Sequence, residues 1–115
     1  KGKLLEKMKR YDEAIENYRE IISINPNSSY ALFRIAFCYE KKHDHDNSLK
    51  YYFNCINEDP NMDKAFFRLS MHFYRNNNFK KALEFIEKAI KLNQEKSKYW
   101  KIYLNCISKT STKNY

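Results

Sequence analysis

Residues 26–60 read PNSSYALFRIAFCYEKKHDHDNSLKYYFNCINEDP, a segment that opens on Pro26 and closes on Pro60, 34 positions later. The same interval relates many other positions. Tyr11, His45 and Phe79 align, as do Ala14, Ser48 and Ala82, then Tyr18, Tyr52 and Ile86, then Ile22, Ile56 and Ile90. In the other half of the unit the aligned sets are Leu32, Phe66 and Trp100; Ile35, Leu69 and Tyr103; Tyr39, Phe73 and Ile107; and the pair Arg34 and Arg68. A fixed period of this size is the mark of a repeat architecture. Within each period the apolar residues recur at three and four, which predicts paired amphipathic helices rather than strands.

The expected helices cover 1–8, 11–24, 29–41, 45–58, 62–75, 79–92 and 97–108. Asn25-Pro26-Asn27-Ser28 and Asp59-Pro60-Asn61 interrupt the chain between repeats, because proline cannot continue a helix and asparagine tolerates turn conformations. Ser28 is placed to cap the helix that follows. Lys42-His43-Asp44 and Asn76-Asn77-Asn78 are short polar connections of the length that neighbouring antiparallel helices use. Small residues at Ala14, Ser48 and Ala82, facing Gly2, Ala36 and Ser70, would let paired helices approach closely.

The bulk composition narrows the functional classes. One glycine and two prolines in 115 residues supply neither the turns of an antiparallel barrel nor a glycine-rich phosphate cradle. No stretch reaches the roughly 18 uncharged residues of a membrane span, and no signal peptide is visible. Cys38, Cys55 and Cys106 are an odd set without metal-ligand spacing, which reads as reduced, packed thiols in a cytoplasmic or nuclear protein. The chain starts at Lys1 inside an expected helix, so a piece of a longer protein is expected.

These columns resemble the tetratricopeptide repeat: a large apolar residue, a Leu-small pair, an aromatic, a small residue, an aromatic and a closing proline. The second repeat supplies Leu32, Ile35-Ala36, Tyr39, Ser48, Tyr52 and Pro60. The third supplies Phe66, Leu69-Ser70, Phe73, Ala82 and Ile86, with Gln94 in the proline position. The first enters late, at Gly2 and Leu5, and continues through Tyr11, Ala14, Tyr18 and Pro26. Trp100, Tyr103-Leu104 and Ile107 look like the first helix of a further unit. The resemblance implies an all-α, right-handed α-α superhelix: a truncated first repeat at 1–28, repeats at 29–62 and 63–96, a capping or fourth-repeat helix at 97–108, and a polar tail at 109–115.

It also implies a non-catalytic interaction scaffold or adaptor that holds a peptide in a concave groove lined by the first helix of each repeat. The residues falling there are Tyr30, Phe33, Arg34 and Phe37 in the second repeat and Lys64, Phe67, Arg68, Met71 and Arg75 in the third. Lys98 and Lys101 continue the series. Aromatic residues beside arginine are what binding hot spots favour. The carboxylate-clamp subfamily, which holds acidic C-terminal tails of heat-shock chaperones, is matched by Lys64 and Arg68. It is not matched by Lys3 and Arg34, which stand where the clamp has asparagines.

Net charge is +8. Residues 1–62 hold ten cations and ten anions, and residues 63–115 hold twelve and four, so the excess lies wholly in the second half. An acidic or aromatic-rich peptide is therefore the expected partner, docking on that half, with aromatic grip from the first. Two other readings stand beside this one. Helical repeats of similar period bind RNA, although the base-reading places here are mostly Phe, Ile and Met; and the chain could be an accessory module of a larger enzyme or complex. Self-association through apolar surface at Leu4, Leu5 and Met8, or from Trp100 to Ile107, is a further expectation. His43, Asp44, His45 and Asp46 form the one compact group with metal-ligand chemistry, but their place between helices suggests packing or capping instead. No metal, cofactor or catalytic group is expected.

Overall fold

In the computed structural model, which describes residues 1–111, the chain is all helix and turn: α1 (Gly2–Lys7), α2 (Tyr11–Ile24), α3 (Ser29–Lys41), α4 (His45–Glu58), α5 (Asp63–Arg75), α6 (Phe79–Leu92) and α7 (Ser97–Ser111). The 34-residue period places α2, α3, α4 and α6 at both ends, and α1 and α5 to within a residue. The last helix is the exception. It runs to Ser111, so Lys109 and Thr110 are helical rather than part of a polar tail; residues 112–115 of that tail lie outside the described residues.

The starts and stops have local causes. The Ala31 N–H donates to Ser28 Oγ at 3.2 Å, so Ser28 caps α3 as expected. Asp44 and Asn78 do the same for α4 and α6 through the N–H groups of Asn47 and Lys81. The turn inside each repeat is one motif built three times. Lys9, His43 and Asn77, again 34 apart, adopt left-handed φ of 59°, 64° and 63°. After each, the next N–H reaches back to a carbonyl five residues earlier: Arg10 to Leu5, Asp44 to Tyr39 and Asn78 to Phe73, all at 2.9 Å. This is the Schellman closure, which satisfies helix-end carbonyls that would otherwise be orphaned.

The chain divides into two compact units, the first spanning Lys1–Pro60 and the second beginning at Asn61. In the first, Ala14, Ile15, Tyr18, Ala31, Ile35, Cys38 and Tyr39 form a core, with Leu5, Tyr11, Ile22 and Tyr51 packed around it. In the second, Phe66, Leu69, Ser70, Ala82, Phe85, Ile86, Ala89 and Ile90 are buried between α5 and α6. Tyr99 joins α7 to this core by donating to Asp63 Oδ2 at 2.6 Å.

The small residues are buried as expected, but Gly2 has a different reason for being small. A Cβ there would lie 2.6 Å from the ring of Tyr18, so it is the tyrosine that requires glycine. All three cysteines are buried and free. Burial pushes the Cys38 and Cys55 thiols up to about 12, and raises Cys106 as well, which leaves them protonated and unreactive at neutral pH.

Candidate functional site

In the first unit the candidate site is organised by a carboxylate that periodicity did not single out. Glu6, on α1, is 7% exposed at its side chain and forms a two-point ion pair with Arg34 of α3, itself 18% exposed. Tyr18 of α2 donates to the same carboxylate at 2.5 Å. Burial and this bond together hold the Tyr18 hydroxyl well above the usual phenol range. Burial works against the Arg34 charge, but the hydrogen bonds and charge of Glu6 outweigh it, so the guanidinium is held more firmly protonated than usual. Arg34 is thus a structural ion within its unit before it is anything for a ligand.

Its guanidinium also lies 4.8 Å from the Phe37 ring and 5.6 Å from that of Phe33. Lys3, Lys7, Arg34, Phe37 and Glu6 enclose an open depression of about 310 Å³. Lys3 and Lys7 are exposed, one turn apart on α1. The aromatic candidates divide by burial. Phe33 is buried, edge-on to Tyr52 at 5.7 Å, and belongs to the core. Phe37 is half-buried at the rim of the depression, and Tyr30 is exposed beside Tyr18 at 6.2 Å.

The second unit builds its cationic face differently. Phe67 is buried against Tyr99, with ring centroids 4.9 Å apart. Two cations reach its outer face: Lys98 from α7 at 5.1 Å and Arg68 from α5 at 5.8 Å. Each contact has the geometry of a cation–π pair. Lys64 stands one turn before Arg68 on α5 and is exposed, as Lys101 is on α7. Met71 is half-buried, and Arg75 is exposed in the last turn of α5.

The polar group at 43–46 is accounted for locally. Asp44 accepts from both the N–H and the side-chain amide of Asn47, bonds that lower its carboxyl below the ordinary range, and His45 is exposed at the first position of α4 rather than packed like Tyr11 and Phe79. Among the described residues no group of three or more His, Cys, Asp or Glu is placed to hold a metal. No helix among them is long and apolar enough to cross a membrane.

Family profiles described as tetratricopeptide repeat match residues 1–28, 30–61 and 63–96. The chain belongs to the tetratricopeptide repeat family. Solved structures agree on the fold. The tetratricopeptide-repeat domain of Sgt2 from Aspergillus fumigatus superposes with a TM-score of 0.85 at 23% identity, over 98% of this chain and 76% of that one. The first such domain of Spaghetti (RPAP3), bound to the HSP90 peptide SRMEEVD, gives 0.87 at 15% identity, over 96% and 87%. No curated protein sequence matches the chain.

The alignment of Lys3 with Lys7, and of Glu6 with Glu40 one period on, was available in the sequence. Tyr52 donates to Glu40 at 2.7 Å, as Tyr18 does to Glu6. A glutamate followed by a tyrosine twelve residues later, in two successive repeats, is a signal for a carboxylate that accepts from that tyrosine.

Proposed function

We propose that this chain is a non-catalytic interaction module that takes up an acidic peptide segment on the cationic, aromatic-backed faces of its units. The observation that carries the reading is the Phe67 cluster, where Lys98 and Arg68 flank one buried ring and Lys64 adds an exposed ammonium a turn away. Cations held over an aromatic surface lose less freedom on meeting a carboxylate than cations on mobile stems, so affinity is gained by preorganisation. The Lys3, Lys7 and Phe37 depression offers the first unit a second contact of the same chemistry. The peptide SRMEEVD bound to Spaghetti has the expected character: three acidic side chains and an apolar Met and Val.

The test is fluorescence anisotropy with labelled SRMEEVD, against wild type, the Lys64→Glu/Lys98→Glu variant and the Lys3→Glu/Lys7→Glu variant. The first variant should weaken binding by about tenfold or more, since each replaces attraction by repulsion. The second should weaken it less. Affinity unchanged by the first variant would overturn the reading. Tighter binding of a single-stranded RNA, steeply weakened by salt, would replace it with the nucleic-acid alternative.

A further inference from the structure

The 34-residue columns break at one buried position. Ala31 and Ala65 are fully buried in the first turns of α3 and α5, and the same column in α7 holds Tyr99, also fully buried. A tyrosine where the repeat allots an alanine must send its ring beyond its own helix, and its polar tip needs a partner there. Both requirements are met on α5. The ring lies 4.9 Å from that of Phe67, centroid to centroid, and the hydroxyl donates to Asp63 Oδ2 at 2.6 Å. Asp63 and Phe67 are four residues apart, so they stand one above the other on a single face of α5. Tyr99 touches both.

This contact decides where α7 begins relative to α5. The helix α7 packs mainly on α6 and meets α5 more sparsely, so a charge-assisted bond from α7 to α5 weighs heavily in fixing that junction. Asn93, in the turn between α6 and α7, donates to the same Asp63 oxygen at 3.4 Å. Burial, and then the bond to Asp63, hold the Tyr99 hydroxyl above the usual phenol range, so it stays a donor at neutral pH. The residue before it is Lys98, exposed, with its ammonium 5.1 Å from the Phe67 ring on which Tyr99 also packs.

We propose that Tyr99 is a positioning residue of the peptide site: by bonding Asp63 it holds the first turn of α7 so that Lys98, together with Arg68, lies over Phe67. The proposal rests on the peptide reading and deepens it, naming the side chain that turns a surface lysine into a placed one. A cation so placed loses less freedom when a carboxylate arrives. Tyr99 itself is fully buried and acts only through Lys98.

NMR and fluorescence anisotropy on the full chain test it. Protons held over an aromatic ring move upfield. The ε-CH2 of Lys98, assigned by its loss in Lys98→Ala, should therefore resonate upfield in the free protein and return toward the ordinary lysine position in Tyr99→Phe. Binding of labelled SRMEEVD should weaken about three- to tenfold in Tyr99→Phe, the reach of one hydrogen bond. It should weaken no further in Tyr99→Phe/Lys98→Ala than in Lys98→Ala alone. Asp63→Asn and Asp63→Ala lose the same charge, but only asparagine keeps an acceptor, so weaker binding by the alanine variant separates the bond from the charge. An unchanged Lys98 resonance in Tyr99→Phe overturns the proposal. So does an equal loss of affinity with and without Lys98, which a merely structural tyrosine would give, or equal binding by the two Asp63 variants. A wild type that ignores SRMEEVD while its Lys98 resonance behaves as expected overturns the peptide reading, and the binding role of Tyr99 with it, but not the placement of Lys98.

Discussion

The two units use arginine and lysine for different ends. In the first, the carboxylate of Glu6 absorbs Arg34, and Tyr18 closes over the same acceptor, so the strongest cation of the face is bound to the fold. In the second, carboxylates are outnumbered three to one from residue 63 onward, and Lys98 rests on the Phe67 ring instead of on an acid. A buried ion pair fixes geometry at the cost of ligand-binding charge, while a cation over an aromatic ring is positioned and still carries its charge outward. The same repeat thus yields a structural arginine in one unit and a candidate ligand-binding lysine in the other.

The largest expected effect breaks this contrast at its first term. Glu6→Ala leaves Arg34 largely buried without its acid and should cost about 3–5 kcal/mol in urea unfolding, while Lys64→Ala in the second unit should change stability by under about 0.5 kcal/mol. Near-equal losses would show that the two cations play the same part. Arg34→Glu belongs with Glu6→Ala, since it sets two carboxylates beside Tyr18. It is unsuitable as a binding control, which is why the peptide test uses lysines.

Next comes packing. Ala82, fully buried where α6 meets α5, should lose about 1–3 kcal/mol on replacement by Leu, seen as a lower Tm. A melt with no loss would mean the helix contact has room to spare. Third is alkaline stability. The Cys38 and Cys55 thiols, pushed up to about 12 by burial in the first unit, favour the fold fully below the ordinary thiol range near 8.5 and lose that contribution as pH rises toward 12. Cys38→Ala/Cys55→Ala should flatten the fall in stability across that window; an unaltered slope would assign it to other groups.

The smallest effect compares the turns. His43→Gly should stabilise the fold by about 0.5–1 kcal/mol, because only glycine takes the left-handed conformation without steric cost. Asn77→Gly should gain less, since asparagine already tolerates it. The reverse order would show that the side chains of these turns, not their backbone, set the difference.

Helix boundaries were legible because the period, the prolines and the caps all act within a few residues of where they stand. Glu6 was not, although Glu40 repeats it, because a glutamate among polar columns reads as solvated until a third helix supplies Arg34. Phe33 and Phe67 carried the pattern of a ligand face, yet they are core, since one helix cannot reveal which of its two apolar stripes a neighbour covers. Trp100, read as part of an open apolar surface, is 40% exposed. Its column is buried in α3 and α5, but among the described residues no helix packs on α7 as α4 packs on α3.

That half-exposed indole is the sole tryptophan in the chain, and its Nε1–H donates to the Gln94 carbonyl at 2.9 Å. Excitation at the red edge of the protein's absorbance therefore reports from a single address. A partner that covers this face of α7 would shift the emission to shorter wavelength and shield it from iodide. The molecule carries its own optical reporter of what happens at α7, without a label.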